Sequence, residues 1–342
     1  MKAFPLLSLL SALLAGIFCP SIQADDKEIT LYTQRHYGFD EELHRKFTEE
    51  TGIKVNVVKA GADELIARLQ EEGENTSADL FMTADGAGLD RAAKAGLLEA
   101  MPDFAELKNV PEELKDVDKK WVAITKRARV LAYSKDRVKA EELSTYEDLA
   151  DPKWKGRLSI RSSTNAYNQS LMTTLIAANG KEEALEWATA VRKNMARPPQ
   201  GSDRDQIRAV AAGLADVALV NTYYVGLLEN SEEEKDRKAA AAIKLFFPNQ
   251  SNRGTHVNIS GAGVVKGTDK KEEVTRFLSF LLSDEVQAMY PVNTFEYPVV
   301  SSVDWSDRQK EWGSFKADAV PLSSMGDLTA EAVRLFNQAG WE

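Results

Sequence analysis

The sequence predicts an α/β protein of two lobes joined by two strands that cross between them. Three observations predict it. Strand-like and helical patterns alternate through the first part of the chain, one β-like stretch runs unbroken from Trp121 to Tyr133, and another runs from Thr255 to Val265. Strands alternating with helices of ~10–15 residues imply βαβ units and a largely parallel sheet.

The N-terminus is read first as a leader. Lys2 precedes an apolar run from Ala3 to Phe18, followed by Ser21-Ile22-Gln23-Ala24 and the acidic Asp25-Asp26. A charged start, a short apolar stretch and a small residue before the cut are the parts of a secretory signal, with cleavage expected after Ala24. Cys19 raises the rival reading of a lipid anchor, but Ile17 and Phe18 are bulky where lipoprotein signals carry small residues. Cys19 is the sole cysteine, so the mature chain of about 318 residues is expected to hold neither a disulfide nor a thiolate metal site. That length suits two lobes of ~100–200 residues. Outside the leader, no stretch reaches the ~18 consecutive apolar residues of a membrane span. The formal charge is −10 and no Lys/Arg-rich block stands out, which argues against nucleic acid as a partner.

The elements follow in order. Glu28 to Thr33 alternates polar and apolar residues as a strand does; Phe39, Leu43 and Phe47 recur at helical spacing up to Gly52. Ile53 to Val58 reads as a strand, Leu65, Ile66 and Leu69 as a helix face, Asp79 to Thr83 as a strand and Leu89 to Leu98 as a helix. Val122 to Tyr133 is long enough to leave one lobe and enter the other. Beyond it, Arg157 to Ser162 and Ala215 to Val220 read as strands and Tyr167 to Ala178 as a helix. The expected division is a signal peptide over 1–24, a first lobe over 25–127 that resumes at 255–300, a second lobe over 128–254, and a C-terminal helical segment, 301–342, packing on both. Two crossings form a hinge, and a hinge lets a cleft close around a ligand. Two independent domains in series are the alternative, but no Pro/Ser-rich linker or internal repeat supports them.

Most of the nine tyrosines need no special role. Tyr32, Tyr133, Tyr290 and Tyr297 lie in apolar contexts expected in the core or at its rim, and Tyr146 lies in a turn-like segment. Others stand where strands end. Tyr37 follows the first strand in Arg35-His36-Tyr37-Gly38, Tyr223 and Tyr224 follow Val217 to Val220, and Tyr167 follows Leu158-Ser159-Ile160. Ligands of open α/β sheets bind beyond the carboxyl ends of strands. A phenol, with an ordinary pKa near ~10, becomes a hard anionic oxygen donor beside a strongly charged metal. Such a cluster suits Fe³⁺, while aromatic stacking on a sugar or a cationic ligand suits the same spacing. Spacing alone leaves metal and organic ligand level.

At these residues the chain resembles the ferric-iron-binding proteins of bacterial iron ABC importers, nearest the branch found in cyanobacteria and many proteobacteria. The likeness runs along the whole mature chain and is carried by Leu31-Tyr32-Thr33-Gln34-Arg35-His36-Tyr37, Lys126-Arg127-Ala128-Arg129-Val130, Gly201 to Arg208, Asn221-Thr222-Tyr223-Tyr224 and Phe280 to Gln287. The last segment is common to many binding proteins; the double tyrosine with the early Arg-His-Tyr is specific. The resemblance implies a two-lobed, type II, transferrin-like periplasmic fold with Fe³⁺ in the cleft. It implies ligation by Tyr37 from the first lobe and Tyr167, Tyr223 and Tyr224 from the second, with His36 as a candidate fifth ligand. His36 turned away from the metal is the other reading. Arg127 is expected to fix a phenolate and offset the negative charge of four phenolates around Fe³⁺. Arg204, at a helix start, is expected either to hold a synergistic anion such as carbonate or to pair with Asp203 or Asp205. The partner implied is an inner-membrane ABC permease, with the protein a monomer.

An enzyme is the rival class. The sequence has three histidines, His36, His44 and His256, and no Gly-x-Ser-x-Gly, phosphate loop or His-Glu-x-x-His motif. His44 reads as a surface residue of the first helix and His256 as a packing or hinge residue. The nearer alternative is a protein of the same fold that binds an organic solute or oxyanion, such as a polyamine, thiamine or sulfate. Such sites favour Trp stacking, carboxylates or backbone amides. The six tryptophans fall outside the expected ligand loops.

Overall fold

The computed structural model describes residues 27–35 and 37–341. The leader, its cleavage site and His36 lie outside the described residues.

Among the described residues, ten strands and twelve α-helices follow one another. The first part holds β1 (Glu28–Thr33), α1 (Gly38–Thr51), β2 (Lys54–Lys59), α2 (Ala62–Glu72), β3 (Leu80–Thr83), α3 (Gly86–Lys94) and β4 (Leu98–Glu99). The long β5 (Val122–Ser134) leads to β6 (Leu158–Ser159), α4 (Ala166–Asn179), α5 (Lys181–Asn194), α6 (Asp203–Ala211), β7 (Val217–Asn221), α7 (Tyr223–Glu229), α8 (Glu234–Ala241) and β8 (Ile243–Phe246). The chain returns through β9 (Val257–Val265) to α9 (Lys271–Leu282), α10 (Asp284–Asn293) and β10 (Tyr297–Pro298), and ends with α11 (Asp307–Trp312) and α12 (Met325–Gln338).

The strand order β2-β1-β3-β9-β5-β7-β6 places β5 at the join. Its first half, Val122 to Ala128, pairs antiparallel with β9. Its second half pairs with β7 through Arg129 to Tyr133 and with β8 through Leu131 to Ser134. β1 is parallel to β2 and β3, and β6 to β7, as βαβ units require. The sheet is nevertheless mixed rather than largely parallel. β9 runs against both β3 and β5, because the stretch that carries the chain back travels in the opposite direction.

Buried apolar residues gather in three clusters. One holds Leu31, Phe47, Phe81, Trp121, Val264 and Phe277; a second holds Leu131, Trp154, Leu171, Trp187 and Leu219; a third lies under α6 to α8 around Val130, Ile207 and Val220. α12 serves two of them. Met325, in its first turn, belongs to the first cluster, and Ala332, Leu335 and Phe336 to the second.

Some elements differ from expectation. The helix after β3 begins at Gly86 and ends at Lys94 rather than spanning Leu89 to Leu98. Two glycines set its ends: a Cβ at Gly88, in the first turn, would stand 3.3 Å from the Thr83 side chain of β3, and Gly96, at φ +72, turns the chain into β4. The strand expected over Arg157 to Ser162 shrinks to Leu158–Ser159. The flanking arginines turn to carboxylates instead, Arg157 to Asp216 at 2.7 Å and Arg161 to Asp203 at 3.5 Å. His44 is half-buried, not a surface residue, with its ring 5.8 Å from that of Phe277. His256 is fully buried where the chain returns to the first cluster, and its carbonyl accepts from the Arg129 N–H.

Candidate metal centre

Four tyrosines from the starts of three helices meet at the join of the sheet. Tyr37 caps the N-terminus of α1, just beyond the carboxyl end of β1. Tyr167 stands in the first turn of α4, whose N-cap Asn165 accepts the Tyr167 N–H at 3.0 Å. Tyr223 and Tyr224 open α7, directly after β7. All four therefore stand at helix starts, where the macrodipole favours negative charge. The Tyr223 hydroxyl donates to the Tyr167 hydroxyl at 3.1 Å. The Tyr37 ring meets the Tyr223 ring edge-on at 6.2 Å, and the Tyr223 and Tyr224 rings lie 4.2 Å apart. A phenol of the first part of the chain thus touches the group supplied by the second.

Burial is the main cause that raises the Tyr37, Tyr223 and Tyr224 phenols above the usual range. For Tyr37 the next cause is the Glu296 carboxylate; for Tyr223 and Tyr224 it is the Tyr167 phenol. Without a cation these groups are neutral and mutually repelled by ionisation. A trivalent cation reverses that balance, because it is the largest charge in the site and favours each phenolate in turn.

Five guanidiniums ring the phenols. Arg35 lies 4.8 Å from the Tyr37 ring centre, and Arg127, Arg129 and Arg161 lie 5.6, 6.0 and 5.8 Å from that of Tyr167. Arg204 lies 5.9 Å from the Tyr224 ring. Arg127 donates to Ser260 Oγ at 2.9 Å and to the Ala84 carbonyl, and its Nη1 stands 3.6 Å from Glu296. Its charge is therefore shared with a carboxylate, a partner that the sequence reading of Arg127 did not include. Arg129 is held by Asp203 at 2.5 Å, Asn168 at 2.7 Å and Asn221 at 3.1 Å. Arg204 is exposed and forms no ion pair among the described residues. The partners considered for it are engaged elsewhere: Asp203 with Arg129 and Arg161, and Asp205 with Ser202 and Arg208.

Sequence reasoning singled out neither Arg129, Asp203, Arg161 nor Glu296. One signal was present: Arg127 and Arg129 are two apart in an otherwise apolar strand and so share a face. A buried guanidinium needs carboxylate partners. Among the described residues, no group of three or more His, Cys, Asp or Glu is arranged to hold a metal.

Comparison with known proteins places the chain in a family. Residues 42–317 match the family described as bacterial extracellular solute-binding protein. Iron uptake protein A1 of Synechocystis is 48% identical over 93% of this chain and 88% of its own length. The Trichodesmium protein solved in complex with iron and citrate is 46% identical, covers 92% of this chain and all of its own, and superposes with a TM-score of 0.86. The ferric binding protein from Campylobacter jejuni is 42% identical over 92% of this chain and all of its own, with a TM-score of 0.87. The fold is that of a type II solute-binding protein, and the chain belongs to the bacterial extracellular solute-binding proteins, in the branch of the iron uptake and ferric-iron-binding proteins.

Proposed function

We propose that this protein captures Fe³⁺ between its two lobes through the phenolates of Tyr37, Tyr167, Tyr223 and Tyr224 and delivers it to an inner-membrane ABC permease. The observation that carries the reading is that Tyr223 touches all three other tyrosines, Tyr167 through its hydroxyl and Tyr37 and Tyr224 through its ring. His36, next to Tyr37, is the candidate fifth ligand. The protein works by binding and release, as a monomer in the periplasm, after its leader is removed following Ala24. The lobes are 25–127 with 255–300, and 128–254, with 301–342 packed across both. Met325 and Phe336 in different clusters support that last assignment. Closure brings Tyr37 to the other three ligands, so affinity and conformation are linked. Arg204, exposed beside Tyr224 and without an ion pair among the described residues, is the proposed seat of a synergistic anion such as carbonate.

The test is optical. Tyrosinate bound to Fe³⁺ absorbs in the visible by charge transfer, so the iron-loaded protein is expected to be red to orange. Tyr223→Phe with Tyr224→Phe should remove the band and leave the far-UV circular dichroism unchanged. A colourless protein after incubation with Fe³⁺ would favour an organic solute or oxyanion as the ligand.

A further inference from the structure

Beneath the tyrosines lies a buried carboxylate that their proposed metal chemistry does not use. Glu296 is 0% exposed and precedes β10, the short strand that pairs with β5 as Tyr297 with Lys126 and Pro298 with Thr125. One step back in that antiparallel register, Glu296 stands opposite Arg127. Its Oε2 accepts from Arg35 Nη1 at 3.0 Å, and its Oε1 lies 3.6 Å from Arg127 Nη1 and 3.5 Å from Ser260 Oγ. The two guanidiniums come from different elements and face different phenols, Arg35 the Tyr37 ring and Arg127 the Tyr167 ring. Arg35 also has a carboxylate of its own, Asp40, at 2.9 Å. Arg127 has none but Glu296 among the described residues.

The backbone around Glu296 is built to keep it there. Phe295 has a positive φ of 58°, unusual for an aromatic residue. Its ring lies against Gly226 in α7, so closely that a Cβ on that glycine would stand 2.3 Å from it. The segment is thereby wedged between β5 and the helix that carries Tyr223 and Tyr224.

We propose that Glu296 is a positioning residue that orients Arg35 and Arg127 beneath the phenols and sets the charge of the iron site. This inference rests on the proposed ferric function. With the carboxylate in place, Arg35 pairs with Asp40 and Arg127 with Glu296, so this wall of the cleft adds no net charge. Without it, one buried guanidinium is left over. A surplus positive charge disfavours the ion of higher charge, so Fe³⁺ loses affinity relative to Fe²⁺. A unit charge on the order of 10 Å away, at an effective dielectric of about 20, changes such a ratio roughly tenfold or somewhat more.

The ratio is measured on the full mature chain by mediated spectroelectrochemistry of the charge-transfer band, with Fe²⁺ affinity from anaerobic titration. Glu296→Gln, which keeps the shape and removes the charge, should shift the Fe³⁺/Fe²⁺ affinity ratio about tenfold toward Fe²⁺, or about 59 mV upward for one electron. Arg127→Gln, which leaves the carboxylate in excess, should move the ratio the other way. The double variant should return near the wild-type value, since it removes a neutral pair. A purely packing role predicts no such reversal of sign. If the single variants shift the ratio in the same direction, or if neither shifts it, the inference is overturned. Should Glu296→Gln fail to fold, the sign for Arg127→Gln decides alone. Absence of the band in the wild-type protein would instead overturn the ferric reading itself.

Discussion

Uptake of Fe³⁺ by this site should release protons, and the surroundings of the phenols set how many. Burial first, and then neighbouring negative charge, holds the Tyr37, Tyr223 and Tyr224 phenols above their usual range. Each is therefore fully protonated between about pH 5 and 9, below even the ordinary phenol value of ~10. Ligation as phenolate must expel one proton from each, so at least three leave per iron bound. Apparent affinity then falls about a thousandfold for each unit of pH lost, or about 4 kcal/mol. The perturbation is Tyr223→Phe, which removes one of those protons and lowers the slope to about a hundredfold per unit. The assay is calorimetry with a ferric chelate in two buffers of different ionisation enthalpy, after subtracting the chelator's own proton uptake. A parallel competition titration at pH 6, 7 and 8 follows the visible band. Release of fewer than three protons from the wild-type protein, or the same release from Tyr223→Phe, would refute ligation by these phenolates.

Two further outcomes follow from residues around the site. Burial first, then the charges of Arg129 and Arg127, depresses His256 to about 3, and its Nε2 lies 3.0 Å from Ser170 Oγ. Because the unfolded imidazole titrates near ~6.5, the stability of keeping it neutral is complete above that value and declines as pH falls toward about 3. Between pH 7 and 5 this costs about 2 kcal/mol, and His256→Gln should flatten that part of the urea-unfolding profile; an unchanged slope would show that other groups govern it. Gly226→Ala should destabilise the protein by about 1–3 kcal/mol despite the better helix former, because the new methyl meets the Phe295 ring at 2.3 Å. A thermal melt at or above the wild-type midpoint would show that Phe295 yields freely.

How much of this was legible depended on whether the signal was local. β1, α1, α2 and the long β5 announce themselves by period, because each packs a face against a core and carries the pattern that packing demands. The four tyrosines were also legible, as residues immediately beyond strand ends. What brings them together is the order of strands, and periodicity does not contain that. Arg127 and Arg129 sit two apart in an apolar strand, so their burial was readable, but the carboxylates they reach were not. Asp203 reads as the ordinary first residue of a capped helix, and Glu296 as one more acid after α10. Their roles arise from pairings 74 residues apart for Arg129 with Asp203, and from the register of β10 on β5 for Glu296. The reading of 301–342 as a helical segment packing on both lobes likewise could not show how α12 divides its apolar face between two clusters.

A cation site ringed by arginines looks self-defeating until the phenolates are counted. In the proposed ligation, Fe³⁺ with four phenolates carries one negative charge, so the species to be stabilised in the closed cleft would be an anion. The shared strand supplies positive charge to both walls of that cleft. Arg127 reaches back to Ala84 and Ser260 in the first half, and Arg129 reaches forward to Asp203, Asn168 and Asn221 in the second. In the metal-free protein the phenols are neutral, and buried guanidiniums would then be costly without partners. Asp40, Asp203 and Glu296 meet that requirement, each on at least one of the five arginines. Three carboxylates against five guanidiniums leave two positive charges. On the proposed ligation, one would match the iron–phenolate complex and the other would suit the proposed small anion at Arg204, which is exposed beside Tyr224. The same inventory accounts for an empty cleft that tolerates its arginines and a loaded one that needs them.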